Sequence, residues 1–377
     1  MKINKKSIHI LMSEYKVDSR VRNETETLNE IMNVEVYCLK DESGNFLENR
    51  AGITLKRFGI RTNNKYISFI SSYLGMMVHS FSNKIDIVHA HDLNALLVGY
   101  IISRIKRAEL VYDSHELWSE SKHGNYPNWL LKLVKNIEVY FAKRADHIIT
   151  VSDSIKKHLV KLFSNEKVTV LRNVPSYTHE GSFDLFREML DIEKGAPIFL
   201  YQGLISESRG VFLILDALDL IPKDSKFQFI YLGDGPDQEN LKKKIVQKKL
   251  SHYVHVLDAV SQDDLLKYTS SADIGVHALD NSCLNHDYCL PNKIFEYVNA
   301  GIGVICPNLT ELKRFITKED VGSLYETGNA KALSQQITYC IEYPDRIIEY
   351  KRASAKSRKS LNWDVEKQNL IKVYEGL

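Results

Sequence analysis

The sequence predicts an α/β protein of two doubly wound domains, each a parallel sheet covered by helices on both faces. Three observations carry this. Short apolar runs rich in Val and Ile alternate with longer stretches of helical period along nearly the whole chain, which is the pattern of strand–helix–strand units with buried parallel strands. The alternation breaks once, at Asn173-Val174-Pro175-Ser176-Tyr177-Thr178-His179-Glu180-Gly181-Ser182, a stretch with turn residues and no sustained period. A length of 377 residues exceeds one ordinary core and suits two.

The first domain is expected over residues 1–172, with strands at 7–12, 34–39, 85–89, 109–113, 147–151 and 168–171. Between them lie helical segments; over 20–32, Val21, Thr25, Leu28 and Met32 fall on one face. Segments 94–105 and 129–142 read the same way. Residues 173–182 form the linker. The pattern restarts over 183–355, with strands at 198–202, 228–232, 254–257, 273–277 and 303–306 and helices at 211–220, 238–249, 263–268 and 293–300. Residues 356–377 are helical, with Trp363, Leu370, Val373 and Tyr374 able to bury one face. Open α/β sheets bind ligands beyond the carboxyl ends of their strands. Functional side chains are therefore expected in strand-to-helix loops of both domains, facing each other across a cleft.

Bulk properties exclude several classes. Cys38, Cys283, Cys289, Cys306 and Cys340 are scattered, odd in number and without CxxC spacing, which argues for a reducing compartment. Cys283 and Cys289 lie near His277 and His286, but the spacing fits no common zinc pattern. No apolar run approaches the roughly 18–20 residues that span a bilayer. The basic start Met1-Lys2-Ile3-Asn4-Lys5-Lys6 lacks the apolar stretch of a signal peptide, so the expected location is the cytoplasm. A net charge of +2 gives no nucleic-acid signal. Residues 1–180 hold 26 Lys and Arg against 20 Asp and Glu, the remainder 24 against 28. Either the first domain meets an anionic surface or acceptor, or two solvated surfaces simply differ.

Over residues 65–81, Ile67, Ile70, Leu74, Met77, Val78 and Phe81 make one apolar stripe, widened by Phe69, Tyr73 and Met76. Burial against the sheet accounts for it outright. The alternative, with Lys56, Arg57, Arg61 and Lys65 just upstream, is peripheral contact with a lipid surface.

The most informative loop is Leu290-Pro291-Asn292-Lys293-Ile294-Phe295-Glu296-Tyr297-Val298-Asn299-Ala300-Gly301. Pro291 suits the first turn of a helix and Gly301 its end. The helix N-terminus at Asn292 offers free N–H groups and partial positive charge to an anion, and Lys293 adds a full charge. Glu296 lies on the same face, where a carboxylate can accept hydrogen bonds from both hydroxyls of a ribose. A surface Lys–Glu pair at i,i+3 reads equally from the spacing. Tyr201-Gln202-Gly203-Leu204-Ile205-Ser206-Glu207-Ser208-Arg209-Gly210 is a strand, a turn and a helix start. Leu232-Gly233-Asp234-Gly235-Pro236 is a turn whose glycines permit positive φ and close backbone approach. In the first domain, His89-Ala90-His91-Asp92 and Tyr112-Asp113-Ser114-His115-Glu116-Leu117 follow strands, as Asp18-Ser19-Arg20-Val21-Arg22 does the first. There Arg20 or Arg22 supplies charge to a ligand or makes a helix-start salt bridge.

These segments, in this order and along nearly the whole chain, resemble glycosyltransferase family 4, within the GT-B fold of two facing Rossmann-like domains. The resemblance implies a retaining glycosyltransferase with a nucleotide-sugar donor, UDP- or GDP-linked, and a polysaccharide, glycan or lipid-linked acceptor. It places the donor ribose on Glu296 and the pyrophosphate on the Pro291–Asn292–Lys293 helix start. Arg209 takes the second of two basic phosphate-binding positions beside Gly203, while Leu204 stands in place of the first. Gly233 and Gly235 form the turn beside the nucleotide. A second Glu that many members carry eight residues before Glu296 is Tyr288 here, as in a branch with a Leu-Pro-Asn-Lys loop. His115 contacts the transferred sugar or the reacting hydroxyl, with His91 and Asp92 nearby. The helix from Trp363 to Tyr374 crosses back onto the first domain.

Retention without a nucleophile–acid carboxylate pair implies front-face substitution, in which Arg209, Lys293 and the helix start neutralise the departing diphosphate. Neither a metal nor a cofactor is expected. Two rivals remain: a nucleotide-sugar epimerase, and a silent subunit that binds the donor without turnover. A dinucleotide-dependent dehydrogenase is poorer, because no GxGxxG follows the first strand. Acceptor choice belongs to first-domain loops such as 118–127.

Overall fold

The computed structural model describes residues 4–40, 45–60, 62, 64–121, 126–176 and 183–377. Parts of the expected N-terminal segment, linker and acceptor loop (1–3, 177–182 and 122–125) lie outside the described residues, as do Arg61 and the Lys65 side chain. The chain forms two compact units. One comprises residues 1–172 with 366–377, the other 173–365.

The first unit runs β1 (Lys6–Ile10), α1 (Ser19–Ile31), β2 (Asn33–Leu39), β3 (Leu47–Arg50), β4 (Ile53–Phe58), α2 (Lys65–Ser80), β5 (Ile87–His91), α3 (Asp92–Lys106), β6 (Glu109–Ser114), α4 (Asn128–Ala142), β7 (His147–Thr150), α5 (Asp153–Phe163) and β8 (Val168–Val170). Its sheet has the order β3-β4-β2-β1-β5-β6-β7-β8, parallel except for β3 against β4. The β3–β4 hairpin has no counterpart in the expected strand set. Its β4 run is interrupted by Lys56 and Arg57, which read as surface residues. They are buried because Lys56 pairs with Glu35 at 2.8 Å and Arg57 with Glu48.

The second unit runs α6 (Leu185–Leu190), β9 (Ile198–Gln202), α7 (Val211–Asp219), β10 (Gln228–Leu232), α8 (Gln238–Gln247), β11 (Val254–Leu257), α9 (Gln262–Ser270), β12 (Ile274–Val276), α10 (Leu284–Tyr288), α11 (Asn292–Ala300), β13 (Gly303–Pro307), α12 (Thr310–Glu319), β14 (Gly322–Tyr325), α13 (Ala330–Glu342) and α14 (Pro344–Ser357). Its all-parallel sheet has the order β11-β10-β9-β12-β13-β14. Phe199, Tyr201, Phe229, Tyr231 and Ile274 on the strands pack with Leu215, Leu218 and Ile337 on the helices, burial that dominates the stability of such a layer. The last helix, α15 (Trp363–Glu375), buries Leu370, Val373 and Tyr374, and residues from Glu366 onward belong to the first unit.

The α2 stripe is corrected by the structure. Ile67, Ile70, Leu74, Val78 and Phe81 are 49–68% exposed rather than packed on the sheet. The inward face carries Ser72, Met76 and Ser80 instead. Ser72 Oγ donates to the Phe58 carbonyl at 3.2 Å. At Gly75 an added Cβ would come within 3.1 Å of the Phe58 ring. The helix approaches its sheet through small residues, which leaves the large ones outside. On α4, Trp129, Leu133, Ile137 and Tyr140 are also exposed along one stripe. α3 joins the two helices: Lys106 Nζ reaches the Phe81 carbonyl at 2.9 Å, and the rings of Tyr100 and Phe141 lie 4.8 Å apart.

Candidate active site

In the second unit β10 and β11 lie to one side of β9, and β12, β13 and β14 to the other. The switch point therefore falls between β9 and β12, where open α/β sheets hold ligands. Tyr297 of α11 marks it. Its hydroxyl lies 3.3 Å from the carbonyl oxygens of Leu200 and Val276, one on each strand, and accepts from the Gln202 amide at 3.2 Å.

Next to Tyr297 and one turn before it, α11 presents Glu296 and Lys293. The Gln202 side chain, at the end of β9, donates from Nε2 to Glu296 Oε2 at 2.5 Å. Gln202 is itself oriented by Thr269, whose hydroxyl donates to Oε1 at 2.8 Å. Burial pushes the Glu296 carboxyl above its usual range, while Gln202 and Lys293 pull it back. The Lys293 ammonium lies 4.0 Å from the centre of the Tyr201 ring, a cation–π contact. Burial pulls its pKa down to about 7; Glu296 opposes and Arg209 reinforces that shift. Lys293 and Glu296 are thus two half-buried groups on one helix face at the strand ends, rather than an exposed surface pair.

The surrounding loops bring the other expected residues together. Gly203 follows β9 with φ +115, and a Cβ there would sit 3.6 Å from Lys293 Nζ. The Gly233 and Gly235 turn lies against this loop: an added Cβ would come within 2.0 Å of the Gly203 carbonyl oxygen, or 2.1 Å of that of Ile205. The close approach these glycines permit is therefore between two strand-end loops. Arg209 is exposed just before α7. Pro291 caps α11 with φ −64 and ψ 142, so Asn292 rather than Pro291 opens the helix, and Gly301 ends it with φ +76. Leu204 is 50% exposed and Tyr288 half-buried.

His277, just past β12, has no role in the sequence reading beyond the discounted metal set. It is 3% exposed, and neither ring nitrogen has a hydrogen-bond partner among the described residues. Burial, with Lys293 and Arg209 nearby, holds its pKa well below the ordinary value. Gln202 and Thr269 also escaped the sequence reading. The signal available for Gln202 was an amide closing an otherwise apolar strand.

In the first unit the switch point lies between β1 and β5, where register sets His9 opposite His89. The His89 and His91 rings stack at 4.3 Å, and His9 Nδ1 lies 3.0 Å from His91 Nε2. Burial holds all three below the ordinary histidine pKa, His89 at about 3. Arg20 is not available to a ligand. It forks onto Asp113 at 2.8 and 3.0 Å, meets Glu24 at 2.9 Å and donates to the Leu171 carbonyl at 2.7 Å. It thus makes the salt bridge that was one of its two readings. Asp18 Oδ1 caps α1 by accepting from the Val21 amide at 3.1 Å.

His115 is placed by two carboxylates, Nε2 at 3.1 Å from Asp113 and Nδ1 at 3.3 Å from Asp92. Burial opposes its charge, yet Asp92 and Asp113 raise its pKa to about 10. Asp92 adopts φ +62, a left-handed conformation costly outside Gly and eased for Asp, and its carboxylate accepts from the His115 amide at 3.0 Å. His115 is therefore an imidazolium at neutral pH, able to donate hydrogen bonds but not to accept a proton. Two overlapping sets, His9–His89–His91 and Glu24–His89–His91–Asp113, have donor atoms within 4.8 Å of one another. In the second, the Arg20 guanidinium already occupies both carboxylates.

Comparison with known proteins fits this geometry. A model of Glycosyltransferase Family 4 matches residues 19–174, and one of Glycosyl transferases group 1 matches 182–360. The chain is 23% identical over 212 residues to alpha-monoglucosyldiacylglycerol synthase of Acholeplasma laidlawii, covering 52% of this chain and 53% of that one. It is 24% identical over 302 residues to chitobiosyldiphosphodolichol beta-mannosyltransferase of Debaryomyces hansenii, covering 71% and 62%. The chain thus spans about half the length of the first curated relatives it matches. The structure of HepE from Anabaena in complex with UDP-glucose superposes with a TM-score of 0.78 at 18% identity, over 99% of this chain and 100% of that one. With a family model on each unit and the two parallel sheets of the GT-B fold, the chain belongs to the family-4-like glycosyltransferases.

Proposed function

We propose that this chain transfers a sugar, with retention of configuration, from a UDP- or GDP-linked donor to a glycolipid or polysaccharide-type acceptor. The observation that carries this reading is the paired placement of Lys293 and Glu296 on one face of α11 at the sheet's switch point, with Gln202 fixing the carboxyl at 2.5 Å. Glu296 accepts from the ribose hydroxyls. Lys293, Arg209 and the N–H groups at Asn292 take the diphosphate as it leaves, fixed charges in place before the reaction. These cations do the work a divalent ion would otherwise do, so transfer proceeds without metal. His115 offers Nδ1–H, which faces Asp92 as an ion pair at 3.3 Å, to the transferred sugar or the acceptor while Nε2–H stays on Asp113, and the diphosphate accepts the acceptor's proton. The relatives include both an alpha-monoglucosyldiacylglycerol synthase and a beta-mannosyltransferase, so NMR of the product's anomeric proton tests retention: the donor's anomer in the product supports it and the opposite anomer overturns it.

The acceptor reading draws on the exposed apolar faces of α2 and α4. With Arg104, Lys106, Lys132 and Arg144 nearby in sequence, they suit peripheral contact with an anionic membrane from the cytoplasmic side. No helix among the described residues is long and apolar enough to cross a membrane. Leu204, where a phosphate-binding cation was expected, favours one second reading: a subunit that binds the donor without turnover.

Incubating the pure protein with a panel of nucleotide sugars and measuring nucleoside diphosphate release, beside Glu296→Ala and Arg209→Ala, tests the reading. Slow hydrolysis of one donor, lost in both variants and insensitive to EDTA, supports it. Binding without release, even with lipid-linked acceptors added, supports the silent subunit. Absence of binding to every nucleotide sugar overturns both.

A further inference from the structure

His277 is the one residue in the second unit's switch-point region whose side chain is buried, polar and without a hydrogen-bond partner on either ring nitrogen among the described residues. Its backbone is fully engaged: the amide donates to Ile305 at 2.8 Å and the carbonyl accepts from the Tyr325 hydroxyl at 3.2 Å. Only the ring is unspent, and an unpaired polar group in a protein interior is costly enough that most native structures avoid it.

Where the ring points follows from strand and helix periods. An added Cβ on Gly275 would fall 2.3 Å from the Tyr297 ring, so that face of β12 is the one α11 covers. Residues two apart on a strand share a face, and His277 therefore faces α11 as well. Two strand residues advance about 6.6 Å, and four helix residues about 6 Å. In a strand–helix–strand unit the helix runs back against the strands. If Gly275 lies against Tyr297, His277 lies against the position four residues earlier, Lys293. The electrostatic influence of Lys293 and Arg209 on the His277 ring agrees with that placement.

We infer that His277 is a ligand-contacting residue of the sugar-donor site, its ring N–H donating a hydrogen bond to the diphosphate of the bound nucleotide sugar beside Lys293. The inference rests on the donor-site reading above. A neutral imidazole adds an oriented donor beside Lys293 without adding a further charge, and the ligand supplies the partner the ring lacks.

The test sets affinity against stability. In His277→Phe the orphaned polar atoms are replaced by a ring of similar size. Thermal stability should hold or rise, while the dissociation constant for UDP or GDP, measured by calorimetry on the full chain, should weaken about tenfold. His277→Gln, which keeps a side-chain N–H, should recover part of the loss. In wild type, the ring signals of His277 in histidine-labelled protein should shift on adding the nucleotide, a readout that needs no variant to fold. Binding unchanged within twofold in both variants, or unmoved ring signals at saturation, overturns the inference. If Glu296→Ala weakens nucleotide binding and the His277 variants do not, this inference alone fails. If wild type binds neither UDP nor GDP, the donor-site reading fails with it.

Discussion

Gln202 holds Glu296 from the neighbouring strand, Nε2 to Oε2 at 2.5 Å, while its own oxygen is held by Thr269 at 2.8 Å. The chain Thr269–Gln202–Glu296 fixes which way the carboxyl faces, so the helix that carries Glu296 does not position it alone. Gln202→Leu should raise KM for the nucleotide sugar about tenfold or more with a smaller change in kcat, the loss expected for one hydrogen bond to a charged group. Thr269→Val should act in the same direction and less. Steady-state kinetics with the identified donor separates the two.

Lys293 gives nucleotide binding a pH dependence. Its pKa is about 7 in the free protein, and a diphosphate beside it raises that value. Binding then takes up protons above pH 7, and affinity, level below pH 7, should fall as pH rises toward the bound pKa. Calorimetry in buffers of different ionisation enthalpy reads the proton uptake directly. Lys293→Arg, charged throughout, should remove most of it.

His115 makes a stability prediction of known sign. Its folded pKa, about 10, lies above the ordinary histidine value of roughly 6.5. The stabilisation it confers is therefore complete below about pH 6.5 and is lost as pH rises through about 10. His115→Gln should be about 2–4 kcal/mol less stable at pH 6. The gap to wild type should close as melts are repeated up to pH 10. Taking the difference cancels other groups, including Lys293, whose lowered pKa works in the opposite sense.

The exposed face of α2 predicts a separable loss. Ile70, Leu74 and Val78 are 54–68% exposed, and each should contribute about 1 kcal/mol on entering lipid. The triple change to Ser should weaken partition onto anionic vesicles about a hundredfold, with thermal stability and donor hydrolysis unchanged. Equal sedimentation of variant and wild type with vesicles would remove the membrane contact from the reading.

The site in the second unit was legible because its signals are local: a proline and a glycine bracket α11, Lys293 and Glu296 share a face by period, and β9, β10 and β11 fall on the residues their apolar runs mark. What escaped depends on contacts across the sequence. Nothing local to Lys56 and Arg57 tells that Glu35 and Glu48 will neutralise them inside a strand. The α2 stripe has the period of a buried face, yet Gly75 and Ser72 decide the approach to Phe58 and turn that stripe outward. Likewise, His91 and His115 read as separate strand-end histidines, and only pairing of β5 with β6 sets them 3.3 Å apart.

The first unit closes on α15. Tyr374 Oη lies 2.7 Å from His89 Nδ1, 285 positions along the chain, and Glu366 Oε1 accepts from the Arg172 amide at 2.8 Å. The unit that begins first in synthesis is therefore completed only after the entire second unit has been made. At about 5–20 residues per second on the ribosome, His89 waits roughly 15–60 s for its partner. During that interval the emerging sheet holds its histidines beside an open flank. Translation order thus makes the first unit the slower of the two to mature, and the period before α15 arrives is when a chaperone would matter most.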